Sequence, residues 1–317
     1  MKTYLKFPFN CAPVLALAVL LALAFRVVPA ELYVQDADGF RAVVEPEAKL
    51  VRLATDMQFT EGPVWVPQDG GFLVFSDIPA NEMKRWSATQ GLKCFRTPSG
   101  NANGNTLDRQ GRLICCEHTG RRVSRLESSG AWVTVVAQFD GKKFNSPNDA
   151  AVKSDGTIWF TDPDYGLDGK PREIEGCYVF TFNPQSNILT VVARDFDKPN
   201  GICFSPDEKR LYVADSGKPR HIRVFEVEPD NSVSPGRVFC TIDKGGPDGI
   251  RCDSEGRLFS SAGDGVHVFA PDGHLLGKIL VPESPANLCF GGEQRNRLFI
   301  TARKSLYCID LKAKGGK

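Results

Sequence analysis

Short apolar strands alternate with turn residues along most of the chain, and residues 198–217, KPNGICFSPDEKRLYVADSG, show the unit. Two runs rich in Ile, Phe, Leu, Tyr and Val flank the turn sequence Ser-Pro-Asp, a pattern that predicts a β-hairpin. The first run begins at Pro-Asn-Gly and the second ends at an aspartate. Because the same hairpin recurs along the chain, the sequence indicates a repeat architecture.

Six segments share one pattern, which consists of an acid or amide, an apolar strand, a short turn and a second apolar strand. They begin at residues 61, 103, 148, 200, 248 and 287 and read EGPVWVPQDGGFLVFSD, NGNTLDRQGRLICCEH, NDAAVKSDGTIWFTDP, NGICFSPDEKRLYVADS, DGIRCDSEGRLFSSAG and NLCFGGEQRNRLFITAR. Repeats of about 40 to 50 residues, with four short strands in each, are the signature of a β-propeller.

The outer strands of the repeats show how the ring closes. A third strand follows every hairpin and a fourth follows five of them, but the sixth copy ends at Leu311 without one. Residues 48–55 resemble the missing strand, and we expect them to complete the last blade, which removes an exposed sheet edge. The sequence therefore predicts an all-β fold, a six-bladed β-propeller closed by an N-terminal strand, with residues 31–317 as a single domain.

The first residue of every repeat is polar, and the first strand of each propeller blade lines the central channel. We therefore expect a ring of side chains around the axis, formed by Glu61, Asn103, Asn148, Asn200, Asp248 and Asn287. Asn before Gly or Asp is also typical of turns, but Glu is a poor turn residue, so Glu61 favours a ligand role. Two carboxylates and four amides suit a hard divalent cation, Ca²⁺ most naturally, whereas Zn²⁺ prefers His or Cys.

Polar residues also end the second strands, beside the start of the first strands. They are Glu117, His118, Asp162 and Asp215. Two roles are open for these residues, either facing a substrate or capping their own loops. We also expect the loop of residues 162–176 to overhang the channel.

The first thirty residues differ from the rest of the chain. Lys2 and Lys6 precede an apolar run of about 15 residues and then Ala30, an order typical of a signal peptide spanning residues 1–30. The alternative is a retained membrane anchor, for which the run is short. The sequence thus predicts a secreted or periplasmic protein with no membrane attachment after cleavage.

Charge and cysteine content narrow the function classes further. Removing Lys2, Lys6 and Arg26 with the leader changes the formal net charge from +1 to −2, and no long basic run would attract nucleic acid. Nine of the ten cysteines follow the leader, an odd number, and they fall in predicted strands. Most are therefore interpreted as small buried apolar residues, with one or two disulfides left open.

Several motifs together resemble one known family. EGPVW, ANGNTLDRQGRL, SPNDAAVKSDGTIWFTDPDYG, PNGICFSPDEKRLYVADS, PDGIRCDSEGRL and ANLCFGG are similar to the SMP-30, gluconolactonase and luciferin-regenerating enzyme family, over about residues 58–310 and with the bacterial gluconolactonase branch as the best match. The resemblance implies a six-bladed propeller with a divalent cation in its channel. It implies metal-ligand roles for Glu61, Asn200 and Asp248, an additional ligand role for Asn148, and substrate contact by Asn103.

The resemblance also implies a reaction, the hydrolysis of sugar aldonolactones with Ca²⁺, or Mg²⁺, Mn²⁺ or Zn²⁺, as cofactor. Asp248 is then the catalytic acid or base, and Asn103 and His118 bind the substrate. Animal members carry an Arg two residues before the substrate Asn, where this chain has Asn101, so recognition of the sugar is expected to differ. Two alternatives stay open: hydrolysis of other lactones or organophosphate esters at the same site, and a non-catalytic propeller stabilised by its metal.

Overall fold

The computed structural model describes residues 26–316, which form almost entirely β-strands. One short helix, α1 (Ala37–Arg41), and one 3₁₀ turn (Tyr165–Leu167) interrupt them. The strands are, in chain order, β1 (Arg26–Pro29), β2 (Glu31–Val34), β3 (Lys49–Ala54), β4 (Thr60–Val66), β5 (Phe72–Asp77), β6 (Glu82–Ser87), β7 (Gly91–Arg96), β8 (Ala102–Leu107), β9 (Leu113–Glu117), β10 (Arg122–Leu126), β11 (Trp132–Val136), β12 (Gln138–Phe139), β13 (Lys142–Lys143), β14 (Ala150–Val152), β15 (Ile158–Asp162), β16 (Cys177–Asn183), β17 (Ile188–Phe196), β18 (Pro199–Phe204), β19 (Arg210–Asp215), β20 (His221–Glu226), β21 (Arg237–Thr241), β22 (Ile250–Cys252), β23 (Leu258–Ser261), β24 (Gly265–Phe269), β25 (Leu275–Leu280), β26 (Pro285–Gly291), β27 (Arg297–Ala302) and β28 (Ser305–Asp310).

Six antiparallel sheets form the blades, which confirms the predicted six-bladed propeller. From the inside outwards, blade 1 is β4 to β7, blade 2 is β8 to β11, blade 3 is β14 to β17 and blade 4 is β18 to β21. Blade 5 is β22 to β25 followed by β2, and blade 6 is β26 to β28 followed by β3 and β1. Strands β12 and β13 make a small separate hairpin. No helix in this part of the chain is long and apolar enough to cross a membrane.

The ring closes through the N-terminal strand, as the repeat pattern predicts. Strand β3 pairs with β28, with Ala54 opposite Leu306 and Leu50 opposite Ile309. The two fifth strands, β1 and β2, were not predicted, because the repeat has no template for them. The predicted leader lies mostly outside the described residues, but its last part, Arg26–Pro29, forms β1 and pairs with β3.

The hydrophobic core lies between neighbouring blades. One cluster packs Trp159 and Val179 of blade 3 against Ile202 and Val213 of blade 4, all of them buried. Equivalent clusters join the other blades, because alternate residues of each strand face the adjacent sheet. Within residues 26–316 all nine cysteines are free thiols and seven are buried, in agreement with their interpretation as small apolar residues.

Glycines let the inner strands approach one another at the axis. A Cβ atom on Gly62 would lie 2.0 Å from the carbonyl oxygen of Asn103, and one on Gly201 would lie 2.3 Å from that of Asp248. Such contacts do not occur for real Cβ atoms, so only glycine fits at these two positions. The Asn-Gly and Glu-Gly pairs of the repeat therefore serve the contact between blades as well as the local backbone conformation.

Hydroxyl groups tie alternate blades to the next inner strand. Ser76 Oγ donates to the carbonyl oxygen of Asn103, and Thr161 Oγ1 donates to that of Asn200, each at 2.7 Å. Ser261 Oγ donates to the carbonyl oxygen of Ala286, also at 2.7 Å. These hydroxyls come from the second strand of one blade and fix the backbone that carries the ring residues of the next.

We expect Ser261→Ala to lower the free energy of unfolding by about 1–2 kcal/mol, because two buried carbonyl oxygens then lose a hydrogen-bond donor. Urea unfolding of the wild type and the variant measures this change. Ser186→Ala, in an exposed turn of blade 3, is the matched control and should change stability little. Equal stability of the two variants would contradict the proposed tie between blades 5 and 6.

Candidate functional site

The six polar residues that begin the repeats come together at one end of the channel. Each stands at or just before the start of an inner strand, and five of them are buried, whereas Asp248 is half-buried. They fall into two groups. In one group the polar side-chain atoms have hydrogen-bond partners in the protein, and in the other the side-chain oxygen has none.

Glu61 is buried and is oriented by a neighbouring amide. Asn287 Nδ2 donates to Glu61 Oε2 at 2.9 Å, while Asn287 Oδ1 accepts a hydrogen bond from the backbone N–H of Leu288 at 2.8 Å. Burial raises the pKa of Glu61 well above its usual range, and the negative charges of Asp248 and Asp149 raise it further. Both polar atoms of Asn287 are thus occupied, so Asn287 positions Glu61 and offers no free ligand atom.

Asp248 and Asn200 form the opposite part of the ring. Burial, with the nearby charge of Asp149, raises the pKa of Asp248 to about 7, although a hydrogen bond from Asn200 opposes the shift. The other polar atom of that amide, Asn200 Oδ1, is buried and has no hydrogen-bond partner within residues 26–316. An unpaired buried oxygen beside a carboxylate is costly unless a ligand satisfies it.

Asn103 also has a buried side-chain oxygen without a hydrogen-bond partner, and a histidine holds its amide group in place. Its Nδ2 atom lies 2.9 Å from His118 Nε2, so the amide donates to the ring nitrogen and His118 carries its proton on Nδ1. Burial lowers the pKa of His118 to about 4, which keeps the ring neutral and able to accept. Asn103 Oδ1 then has no partner in the described part of the chain.

The remaining ring residue, Asn148, is fixed through its backbone. Its carbonyl oxygen accepts from the N–H of Gly104 at 2.7 Å, and its own N–H donates to the carbonyl oxygen of Thr161 at 2.8 Å. Its side chain makes no hydrogen bond to any other residue between 26 and 316.

The site thus combines two carboxylates of raised pKa with free amide oxygens, a donor set that fits a hard cation. No group of three His, Cys, Asp or Glu side chains gathers among the described residues.

An ion pair next to the ring was not predicted from the sequence. Asp149 is fully buried and accepts a hydrogen bond from Arg251 Nη1 at 3.0 Å. The available signal was that blade 3 carries Asn-Asp where four other blades carry an acid or amide followed by Gly. Its charge contributes to the raised pKa values of Glu61 and Asp248.

The aspartates that end the second strands are loop caps, which decides between the two roles left open. Asp162 accepts from the backbone N–H groups of Asn145 and Ser146, both at 2.8 Å. Asp215 accepts from the N–H of Lys198 at 2.8 Å, and so fixes the segment that leads to Asn200.

Glu117, at the same edge, and Asn101, in the loop before β8, also have internal partners. Glu117 is buried and pairs with Arg96 and Arg122. Asn101, where a different recognition of the sugar is expected, donates to the carbonyl oxygen of Ile78 and accepts from Thr119 Oγ1. Its amide therefore belongs to the loops between blades 1 and 2.

The loop between β15 and β16, residues 163–176, lies over the ring and is called the mouth loop here. A Cβ atom on Gly166 would lie 2.5 Å from His118 Cβ, so this loop packs directly on the histidine. The hydroxyl of Tyr165 lies near Ser216 and Asn200, and its partial burial and the charge of Asp248 raise the pKa of Tyr165 to about 12. Tyr165 is a site residue that the sequence pattern did not identify.

Neutral His118 makes stability depend on pH. Its folded pKa of about 4 lies below the ordinary 6.5, so between these values the unfolded chain binds a proton that the folded protein does not. Stability therefore falls as pH decreases through this window, by about 2.5 kcal/mol at pH 4.5. Urea unfolding at pH 7 and 4.5 should show a smaller loss for His118→Gln than for the wild type. Equal losses would mean that the histidine is protonated in the folded state.

Comparison with known proteins agrees with this geometry. The profile of the SMP-30/Gluconolactonase/LRE-like region matches residues 59–304. The gluconolactonase of Zymomonas mobilis is 32% identical over 302 residues, which cover 86% of this chain and 84% of that protein. The solved structure of a gluconolactonase from Xanthomonas campestris has 34% identity and a TM-score of 0.84, with 90% of this chain and 97% of that chain covered.

A more distant structure shares the fold. The calcium-binding protein regucalcin from Agrobacterium tumefaciens has 21% identity and a TM-score of 0.70, and the match covers 82% of this chain and 92% of that one. The profile match extends over most of the propeller, and the match to the Zymomonas protein covers most of both chains. This chain belongs to the SMP-30/gluconolactonase/LRE-like family.

Proposed function

We propose that the protein is a divalent-cation-dependent lactone hydrolase that acts on sugar aldonolactones. The observation that carries the proposal is the channel mouth, where Glu61 and Asp248 face unpaired amide oxygens in a family with lactone-hydrolysing members. Relatives named gluconolactonase match most of the chain, which supports a lactone as the substrate.

Four side chains of the ring would hold the cation: Glu61, Asn148, Asn200 and Asp248. Their donor atoms are all oxygens, which favours Ca²⁺, with Mg²⁺ or Mn²⁺ as alternatives and Zn²⁺ less suited. A calcium-binding relative of the same fold supports this choice. Bound there, a divalent cation supplies a Lewis acid for the ester carbonyl and a counter-charge for the two carboxylates.

The residues of the chain supply proton transfer and orientation. Burial raises the pKa of Asp248 to about 7 without a metal, and the charge of a bound cation would lower it, so the carboxylate would be ionised at neutral pH and could take the proton from the attacking water. Asn103 Oδ1 is free to accept a hydrogen bond from a sugar hydroxyl, and His118 holds that amide in place. Asn287 orients the carboxylate of Glu61, and the mouth loop packs on His118.

The first experiment is lactone turnover by metal-stripped protein before and after resupply of Ca²⁺, Mg²⁺, Mn²⁺ or Zn²⁺. Acid release from glucono-1,5-lactone, corrected for spontaneous hydrolysis, should return with the metal and fall by about 100-fold or more in Asp248→Ala. Asp272→Ala, an exposed aspartate of blade 5, is the control and should keep full activity.

Two outcomes would contradict the proposal. Full activity in a folded Asp248→Ala variant would remove Asp248 from the mechanism. Absence of turnover, together with a melting temperature that still rises with metal, would favour another ester substrate or a non-catalytic propeller.

Asn287 provides a second test, of the cation site alone. Asn287→Ala removes the donor that orients Glu61, and loss of such an orienting contact weakens metal binding by about 10- to 100-fold. Calorimetric titration with Ca²⁺ measures the affinity. Asn296→Ala, which loses a hydrogen bond in the same blade but away from the channel, should bind Ca²⁺ like the wild type. Equal affinities in all three proteins would exclude Glu61 as a ligand oriented by Asn287.

We also propose export with cleavage after Ala30. Lys2, Lys6 and the following apolar run support it, and Glu31, the first residue of the mature chain, is also the first residue of β2. Cleavage would remove β1 and leave β3 as the outer strand of blade 6. N-terminal sequencing of protein from the exported fraction should begin at Glu31. An intact N-terminus in the membrane fraction would favour the anchor instead.

A further inference from the structure

An open cavity lies between the mouth loop and Lys198, two residues before Asn200 of the ring. It has a volume of about 470 Å³ and is lined by Lys198 and by residues of the mouth loop, among them Tyr165, Lys170 and Arg172. This volume is sufficient for a small polar group and its water. None of these residues belongs to the proposed cation site.

Three cationic side chains line this cavity, together with a single carboxylate. Asp164 forms ion pairs with both Lys198 and Arg172, the latter at 3.8 Å. Lys170 has no ion-pair partner among residues 26–316. Asp164 thus pairs with two cationic side chains, and Lys170, the third, is unpaired. The side chains that line the cavity therefore carry a net positive charge.

Tyr165 joins this cavity to the ring. Its hydroxyl lies near Ser216, Asn200 and Asp248, and the residue also lines the cavity and is 46% exposed. The ammonium group of Lys198 lies 5.5 Å from the centre of that ring. The cationic cavity therefore begins about one tyrosine side chain away from the carboxylate that we assign to catalysis.

We propose that this cavity binds an anionic substituent of the substrate, a phosphate or a sulfonate on the sugar carbon remote from the lactone ester. The proposal rests on the proposed function and adds the substrate class, an acidic sugar lactone. With the ester at Asp248, the far end of the sugar would reach past Tyr165 into the cavity. Arg172 can donate two parallel hydrogen bonds to an oxyanion, and Lys170 and Lys198 add charge.

The test compares kcat/KM for neutral glucono-1,5-lactone with that for its 6-phosphate and its 6-deoxy-6-sulfonate. The wild type should prefer at least one anionic lactone by about 10-fold or more, and 0.5 M NaCl should reduce this preference. In the double variant Lys170→Gln/Arg172→Gln the ratio of anionic to neutral kcat/KM should fall towards 1. The two anionic substrates distinguish phosphate from sulfonate.

A matched control removes two positive charges elsewhere. Lys93→Gln/Lys209→Gln alters exposed lysines on blade 1 and on a turn at the other end of the channel, and should keep the wild-type ratio. A wild-type ratio near 1 overturns the proposal, and so does an unchanged ratio in the Lys170/Arg172 variant. The ratio is insensitive to a general loss of folded enzyme, because both substrates are measured on the same preparation.

Equilibrium binding separates this proposal from the lactonase proposal. Calorimetry with 6-phosphogluconate, the open-chain acid, should show binding to the wild type that weakens by about 10-fold or more in the Lys170/Arg172 variant. If no lactone is hydrolysed but this difference persists, the anion site stands and the proposed activity fails. If neutral lactone is hydrolysed and 6-phosphogluconate binds both proteins equally, the activity stands and the anion site is wrong.

Discussion

The placement of carboxylates in the interior near the axis is the constraint on which the rest of the structure depends. The negative charges of Asp149 and Asp248 raise the pKa of Glu61, and that of Asp149 also raises the pKa of Asp248. Of these three carboxylates only Asp149 forms an ion pair within residues 26–316, with Arg251. Desolvated like charges destabilise a fold unless a counter-ion or a proton compensates them. These like charges lower the stability of the propeller at its centre. A cation that binds there would offset the repulsion and stabilise the fold.

The blades hold this unfavourable cluster in place. Close glycine contacts and the hydroxyls of Ser76, Thr161 and Ser261 fix the inner strands against one another, so the ring residues stand on rigid backbone. Hydrogen-bond partners then align their side chains, such as Asn287 for Glu61 and His118 for Asn103. Rigid support of this kind keeps ligand atoms in position before a ligand arrives.

The proposed cation site and the proposed anion-binding cavity belong to different parts of the chain. The proposed cation ligands begin the inner strands, whereas Tyr165 and the cationic cavity belong to the mouth loop between β15 and β16. A change in that loop can alter which substrate is accepted without disturbing the cation site. This division is common in folds whose sites are built from loops on a rigid scaffold.

The sequence by itself determined the architecture and the ring. The repeat of apolar strands, with Glu, Asn or Asp at each start, predicted six blades, closure by β3 and the six residues at the channel mouth, because period and position within a repeat translate directly into place around an axis. What remained open depended on contacts between distant residues. Only the tertiary structure decided that Asp162 and Asp215 cap loops, that Asn287 serves Glu61, that Asp149 pairs with Arg251 and that Tyr165 reaches the ring. These partners lie far apart in the chain or in loops outside the repeat. A local sequence pattern does not predict which of these side chains are in contact.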